Sequence, residues 1–415
     1  MQSALCAFVA MACKPSSTES PAPDAARDGG GDLALEEQLM ALGYLDHVQG
    51  DGGETRSGVV RLERARVSPG YTLTWLPRPC LAELIDIEGQ VVRSWRMEDC
   101  KALNRAILLP DGDLLTVGGS RVTQYSSQGE MRWQRELRAN HDVELAPTGG
   151  ILTLSADFRD LPSWDTHQIR DSSIVLLSPS GERLDSVSLW DVTSENDIGF
   201  ELIRREAKSP RSQPGRSEPT AYDEGQGAKD KPYIDLFHCN KVEGMSRPEL
   251  AARHPLYALD NVLVTCRHQN SILAIDFKRR ALVWAWGQDV LSGPHDATVL
   301  DSGNLLVFDN GLSSERSRVL EVDPLSGEIV WQYDGGPGRT FFTFARGAAQ
   351  RLPNGNTLVV ISGEGHAREV TPEGEVVWEY WNPHFRRGER VAIARMHRYP
   401  EDYVGLVHLG EGTAR

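Results

Sequence analysis

Residues 324–333 read PLSGEIVWQY and residues 371–380 read TPEGEVVWEY. In both, a glycine turn feeds an apolar strand that carries a tryptophan. The unit recurs as DIEGQVVRSW at 86–95, SSQGEMRW at 126–133, SPSGERLDSV at 178–187 and FKRRALVWAW at 277–286. A second unit alternates with it: LLPDGDLLTV at 108–117, LAPTGGILTL at 145–154, LDNVLVTC at 259–266, VLDSGNLLVF at 299–308 and RLPNGNTLVV at 351–360. RYPEDYVGLV at 398–407 is a weaker sixth copy. Turns between apolar or alternating strands are β-hairpins. Two hairpins per repeat make a four-stranded antiparallel sheet, and such a repeat of roughly 40–50 residues is a propeller blade. Six copies predict an all-β, six-bladed β-propeller. The chain opens on one kind of hairpin and ends on the other. The N-terminal hairpin at 81–95 is therefore expected to close the ring with the C-terminal strands, removing an open edge. Trp95, Trp133, Trp284, Trp331 and Trp378 recur at equivalent places and are expected to pack between blades.

The chain has 415 residues and a formal charge of −15. A surface this acidic argues against nucleic acid or an anionic membrane as partner. It does not exclude a local basic pocket for an anion. No hydrophobic run reaches the length of a membrane span. Residues 3–12 (SALCAFVAMA) are small and apolar, Cys13 follows, and then KPSSTESPAPDAARDGGGD. That order reads as a bacterial lipoprotein signal with Cys13 lipidated. The protein is expected to be exported, to the periplasm or as an outer-membrane lipoprotein, with membrane contact only through that anchor.

Residues 1–32 are read as signal and tether, and 33–58 as an N-terminal segment with a short helix over 33–45. The propeller is assigned to 59–410. A polar, Pro/Gly-rich stretch at about 193–232 reads as a flexible insertion, and 244–256 as a smaller one with helical character. Cys80 and Cys100 sit symmetrically about Gly89 and can be bridged if the segment is a hairpin. Cys239 and Cys266 form a second candidate pair. Buried free thiols are the alternative for both.

The residues suited to chemistry stand where inner strands begin: His141-Asp142, His238-Cys239-Asn240 and His295-Asp296, with Arg267-His268 directly after the strand NVLVTC. The inner strands of a propeller face its channel, so these side chains can converge. Alternation puts His238 and Asn240 on one face with Cys239 opposite, and opposes Arg267 to Cys266. By the same alternation His268 points away. His366 and His384 are read as polar strand caps; His397 is read mainly so, or as lining the channel in the last blade. Three histidines can bind a transition metal, but a fixed arginine repels one. Histidines with an arginine suit a tetrahedral oxyanion better, and a neutral imidazole can attack such a centre. No P-loop, dinucleotide fingerprint or Gly-x-Ser-x-Gly elbow is present.

At these residues the chain resembles the bacterial arylsulfotransferase family in its short, single-domain form. The motifs that carry the resemblance are PGYTLTWL, LIDIEGQVVRSW, DLFHCN, TCRHQNSILAID, PHDATVLDSGNLLVFDNG, the FFTF segment at 341–344, AQRLPNGNTLVV and EVTPEGEVVWEYWNP. They cover roughly 59–400. The resemblance implies a six-bladed exported propeller that moves a sulfuryl group from a phenolic sulfate ester to a phenol without a nucleotide donor. It implies His295 as nucleophile through an N-sulfohistidine, Arg267 and His238 on the sulfate oxygens, and His141 completing the anion pocket. Asn240 would orient His238, and Asp296 and His397 are taken as further substrate contacts. No cofactor or catalytic metal is implied; a structural Ca²⁺ is left open. The alternatives are a non-catalytic ligand-binding propeller at the cell surface and a sulfate-ester hydrolase.

Overall fold

The computed structural model describes residues 56–410 apart from 99, 101, 162–167, 206–232, 337–338 and 387. Cys13, the 1–32 tether, the expected helix over 33–45 and most of the 193–232 insertion lie outside the described residues.

The strands follow the two repeated units. β1 (Gly58–Leu62) comes first, then β2 (Tyr71–Leu76), β3 (Leu81–Ile85) and β4 (Val91–Arg96). β5 (Arg105–Leu108), β6 (Leu114–Gly118), β7 (Ser120–Tyr125) and β8 (Met131–Leu145) form the next meander, which continues into β9 (Ile151–Asp160), β10 (Gln168–Leu177) and β11 (Arg183–Ser188). Helix α1 (Leu189–Ser194), capped by the Ser188 side chain, leads to the insertion. β12 (Tyr233–Asp235) returns from it, followed by β13 (Cys239–Gly244). Helix α2 (Pro248–Ala251) and a 3₁₀ turn over Pro255–Tyr257 fill the smaller insertion, as expected. Then come β14 (Asn261–Cys266), β15 (Ser271–Asp276), β16 (Ala281–Trp286), β17 (His295–Val299), β18 (Leu305–Asp309), β19 (Arg318–Val322) and β20 (Ile329–Tyr333). The chain ends with β21 (Ala348–Arg351), β22 (Thr357–Ile361), β23 (His366–Val370), β24 (Val376–Trp381), the small pair β25 (Phe385–Arg386) and β26 (Glu389–Arg390), β27 (Met396–Tyr399) and helix α3 (Val404–Gly410).

The result is an all-β propeller with few helices. Three sheets are four-stranded: β13 to β16, β17 to β20, and β27-β2-β3-β4. A fourth, β21 to β24, gains β1 as a fifth strand. The remaining large sheet runs from β5 to β11 without a break, because β8 is 15 residues long and serves two meanders. Its first part pairs with β7 and its last part with β9.

Apolar residues meet between neighbouring sheets. Leu152, Leu154 and Ile174 pack with Val242, Val264 and Leu273, and Ile85 packs with Leu358, Trp378 and Met396. The repeated tryptophans act as clasps: the indole N–H groups of Trp95, Trp284, Trp331 and Trp378 donate to Ser127 O, Pro324 O, Pro372 O and Ile87 O, each in the outer turn of a neighbouring sheet. The turn glycine serves the same joint. Gly181 has φ +80°, and a Cβ there would lie 2.6 Å from the Trp133 ring. Only glycine permits both the turn and the contact.

One hairpin expectation fails. Residues 398–407 form no hairpin: β27 ends at Tyr399, Pro400 follows, and α3 begins at Val404. Proline removes a ladder donor, so the strand stops there. A single C-terminal strand pairs with β2. Both expected disulfides are present, Cys80–Cys100 and Cys239–Cys266.

Candidate active site

The histidine-bearing strand starts share a distortion. β8 carries a bulge between Asn140 and Val143, β13 between Cys239 and Lys241, and β17 between His295 and Thr298. His141, His238 and Asp296 adopt φ of 61°, 47° and 52°. Left-handed backbone at a non-glycine residue costs about 1–3 kcal/mol and concentrates at functional sites. Here the bulges re-aim side chains out of the ladder.

They bring His141, His238, Arg267 and His295 to one end of the inner strands. The His141 and His238 ring centroids are 5.0 Å apart. The Cys239–Cys266 disulfide joins directly opposed residues of β13 and β14. It therefore ties the strand start after His238 to the strand end before Arg267. Arg267 opens a 3₁₀ turn over Arg267–Gln269. Its Nη2 donates to Phe344 O at 3.3 Å, and its guanidinium carbon lies 5.5 Å from the half-exposed Phe344 ring.

His268 does not point away. The 3₁₀ turn ends strand alternation after Cys266, and the His268 ring comes within 4.6 Å of that of His238. His268 Nδ1 donates to Asp235 O at 2.6 Å, and its Nε2 faces Arg267 Nη1 at 3.3 Å.

Two residues absent from the sequence-based candidates hold the rings. Asp235 Oδ2 lies 2.6 Å from His238 Nδ1, and Asp235 Oδ1 lies 3.2 Å from Arg170 Nη1. The parallel pairing of β12 with β10 sets Arg170 opposite Asp235. Asn310 Oδ1 lies 2.6 Å from His295 Nδ1. Both residues stand in motifs quoted above, DLFHCN and VFDNG, and only the fold shows which ring each one meets.

Burial dominates the electrostatics. It depresses His141 to about 3, helped by the Arg170 charge. It pushes His295 well below the ordinary histidine range, and Arg267 adds to that. It also depresses His238, against the opposing pull of Asp235. All three rings are neutral near pH 7. Burial works against the Asp235 carboxylate too, but His238, Arg170 and His268 outweigh it and keep the acid ionised. Burial lowers Arg267 to about 10. Among the described residues Arg267 has no carboxylate in ion-pair contact, and its Nε and the His141 Nε2 are buried without a hydrogen-bond partner.

The other expected contacts belong to a second layer. Asn240 does not orient His238: its Nδ2 donates to Pro294 O at 2.9 Å, and its Oδ1 faces Asp296 N. It supports the strand start carrying His295 instead. Asp296 turns from His295 to Arg395, at 3.1 Å. Arg395 also meets the fully buried Asp142 at 3.0 Å, and Arg105 and Lys241 stand 3.1 and 3.5 Å from that aspartate. His397 lies beyond this ion layer, in a cavity of about 1070 Å³ lined also by Glu144, Gln350 and Arg351. None of His141, His238, Arg267 or His295 lines it. His366 and His384 pair with Glu379 and Glu83, in keeping with structural roles.

Asp235, His238 and His268 offer ligand atoms within 4.8 Å of one another. The Nδ1 atoms of both rings are already engaged by Asp235, and Arg170 and Arg267 adjoin the group. Those commitments and charges oppose a dication.

The family model described as Arylsulfotransferase (ASST) matches residues 105–383. No curated protein matches the chain. Among solved structures, a protein of unknown function from Bacteroides caccae is similar at 14% identity, over 79% of this chain and 98% of that one, with a TM-score of 0.50. A β-propeller domain from Myceliophteria thermophila is similar at 14% identity, over 84% and 99%, with a TM-score of 0.45. Virginiamycin B lyase from Staphylococcus aureus is similar at 12% identity, over 82% and 88%, with a TM-score of 0.42.

Proposed function

The chain belongs to the arylsulfotransferase family, and from that premise we propose that it moves a sulfuryl group from a phenolic sulfate ester to a phenol through a sulfohistidine at His295. The observation that carries this reading is Arg267: a buried guanidinium with no carboxylate partner, among neutral imidazoles, with an unsatisfied N–H. A cation so placed calls for an anion.

In the first half-reaction His295 Nε2 forms a bond to sulfur while the S–O bond to the phenol breaks. Arg267 and the His141 N–H hold the non-bridging oxygens. As negative charge develops on the departing oxygen, His238, backed by Asp235, relays a proton from solvent to it. In the second half-reaction the acceptor phenol returns a proton to His238 as its oxygen attacks sulfur and the N–S bond breaks. The Phe344 ring, beside Arg267 and 41% exposed, suits stacking by a phenolic ring. No step of this sequence requires a metal or cofactor.

We read the propeller as six-bladed, with the sheet from β5 to β11 counted as two blades that share β8. Pairing of β27 with β2 and the Trp378–Ile87 clasp support a closed ring. The domain spans proposed are those given above. The two disulfides suit an oxidising compartment, and no helix among the described residues is long and apolar enough to cross a membrane. Periplasmic export with a lipid on Cys13 is the proposed destination.

The test is an intact-mass measurement after adding an aryl sulfate without acceptor. One added SO₃, mapped to His295 and discharged by a phenol, is expected. Persistence of the adduct in His295→Ala would place the nucleophile elsewhere. Sulfate release independent of acceptor would mark a hydrolase, and no turnover with unchanged ligand binding in His295→Ala a binding protein.

A further inference from the structure

Asn310 follows β18 and is fully buried. Its Nδ2 donates to Thr343 O at 2.7 Å and to Arg346 O at 2.9 Å. Two carbonyls can only accept, so both amide hydrogens are committed and the orientation of the amide is settled. The atom facing His295 Nδ1 at 2.6 Å is therefore the amide oxygen. An oxygen of that kind only accepts, so Nδ1 carries the hydrogen. Gly293 O, at 3.2 Å from the same nitrogen, asks for the same proton. A neutral imidazole has one N–H, so the lone pair is on Nε2.

The support is rigid. Asn310 O accepts from Ser317 Oγ, and the preceding Asp309 is held by Arg318 and by Ser292 N. The charged and titratable groups that act on His295 are Arg267 from the turn after β14 and His141 from β8, and both disfavour its protonation. The next residue in the chain, Asp296, faces Arg395 instead. His238 offers the contrast. Its Nδ1 meets a carboxylate, which stabilises an imidazolium; that of His295 meets a neutral amide, which orients the ring without a charge.

Resting on the sulfuryl-transfer reading, we propose that Asn310 is a positioning residue that fixes the proton of His295 on Nδ1 and so presents an Nε2 lone pair to sulfur. The choice of amide at His295 and carboxylate at His238 divides the labour between nucleophile and proton carrier.

The test is ¹⁵N NMR of the full chain labelled at histidine, without substrate, the His295 signals being identified by their loss in His295→Gln. A protonated Nδ1 and an unprotonated Nε2 are expected across about pH 5.5–8, below and above the ordinary histidine value. A proton on Nε2 would overturn the proposal, and this readout depends on no variant of Asn310. In Asn310→Asp, His295 is expected to titrate at a higher pH. The rate of adduct formation should then fall at least about 10-fold at low pH and recover as pH rises, since each pH step of one changes the neutral fraction up to tenfold. An equal loss at every pH would mean that Asn310 is only structural. The NMR result is independent of turnover. The expected tautomer without any adduct sinks the transfer reading and leaves this one standing; an adduct on His295 with the proton on Nε2 does the reverse.

Discussion

Replacing Arg267 by methionine should remove activity while leaving the fold as stable as before, or more so. Burial holds the guanidinium down to about 10, a drop of roughly two to three decades at ~1.4 kcal/mol each. The group is charged in both folded and unfolded chains at pH 7, so this is a burden of about 3 kcal/mol on the native state at every working pH. Against it stand the contacts of Nη1 with His268 Nε2 and of Nη2 with Phe344 O, both at 3.3 Å. Long bonds of this kind contribute about 0.5–1.5 kcal/mol each. The balance predicts that Arg267→Met is between neutral and about 2 kcal/mol more stable. Loss of a preorganised oxyanion donor should lower turnover by about 10²–10³.

Urea unfolding and a thermal scan with added sulfate measure both halves. Sulfate should raise the melting temperature of the wild type and not of the variant, since a ligand at 100 times its Kd contributes about 2.7 kcal/mol. A variant destabilised by more than about 1 kcal/mol would show that the arginine holds the structure together. Equal stabilisation by sulfate would show that the anion is held elsewhere. Either result refutes the reasoning.

The ion layer behind the site behaves oppositely. Arg395→Met leaves Asp142 and Asp296 without a shared partner, and a loss of about 3–5 kcal/mol is expected in urea unfolding; a loss below about 1 kcal/mol would mean that Arg105 and Lys241 suffice. Acid should destabilise the protein early. His141 and His397 are held down to about 3 and His238 and His295 well below the ordinary range, each chiefly by burial. The unfolded chain therefore binds protons first, and stability present above about pH 6.5 is lost as pH falls, by up to ~1.4 kcal/mol per ring per pH step. Asp171, which burial raises to about 6, takes a proton earlier in the folded state and offsets about one ring. A urea midpoint that stays constant from about pH 7.5 to 5.5 would contradict this. Joint replacement of Cys239 and Cys266 by serine should cost about 2–4 kcal/mol and lower turnover, because each cysteine is next in the chain to a site residue, His238 or Arg267; a free-thiol count on the unfolded wild type checks the bridge itself.

The repeat is legible because its copies share local needs: a turn residue tolerant of positive φ and, in four of them, a tryptophan whose N–H reaches the next turn. The histidines are legible because inner-strand starts are fixed by that repeat. Asp235 is not: its place depends on a parallel pairing of β12 with β10 across a long insertion, which no local pattern records. Arg395 and Arg105 reach Asp142 from distant parts of the chain, and apolar periodicity does not show where buried charges meet. His268 escapes strand alternation, because alternation ends where the 3₁₀ turn begins, one residue before it. The C-terminal copy misleads because Tyr-Pro-Glu-Asp resembles a hairpin turn in composition, while the residues after it are committed to α3.

The charge at the site argues for the size of the anion it takes. Asp235 cancels Arg170 in direct contact, and His141, His238 and His295 are neutral. Asp142, Asp296 and Glu144 are matched in the ion layer by Arg105, Lys241 and Arg395, and Glu243 by Arg247. What remains uncompensated at the core of the site, among the described residues, is one positive charge, on Arg267. A sulfate monoester carries one negative charge. A phosphate monoester near neutral pH carries close to two, and its second charge would be desolvated without a partner. Arg205, whose Nε donates to His268 O, stands nearer the solvent at the same end, only half-buried. Its charge is screened there and serves better to draw an anion in than to hold a second one. A monoanion matched to one fixed cation becomes nearly neutral as a bound pair. That is the condition under which a buried, neutral imidazole can approach sulfur without first having to shed a proton.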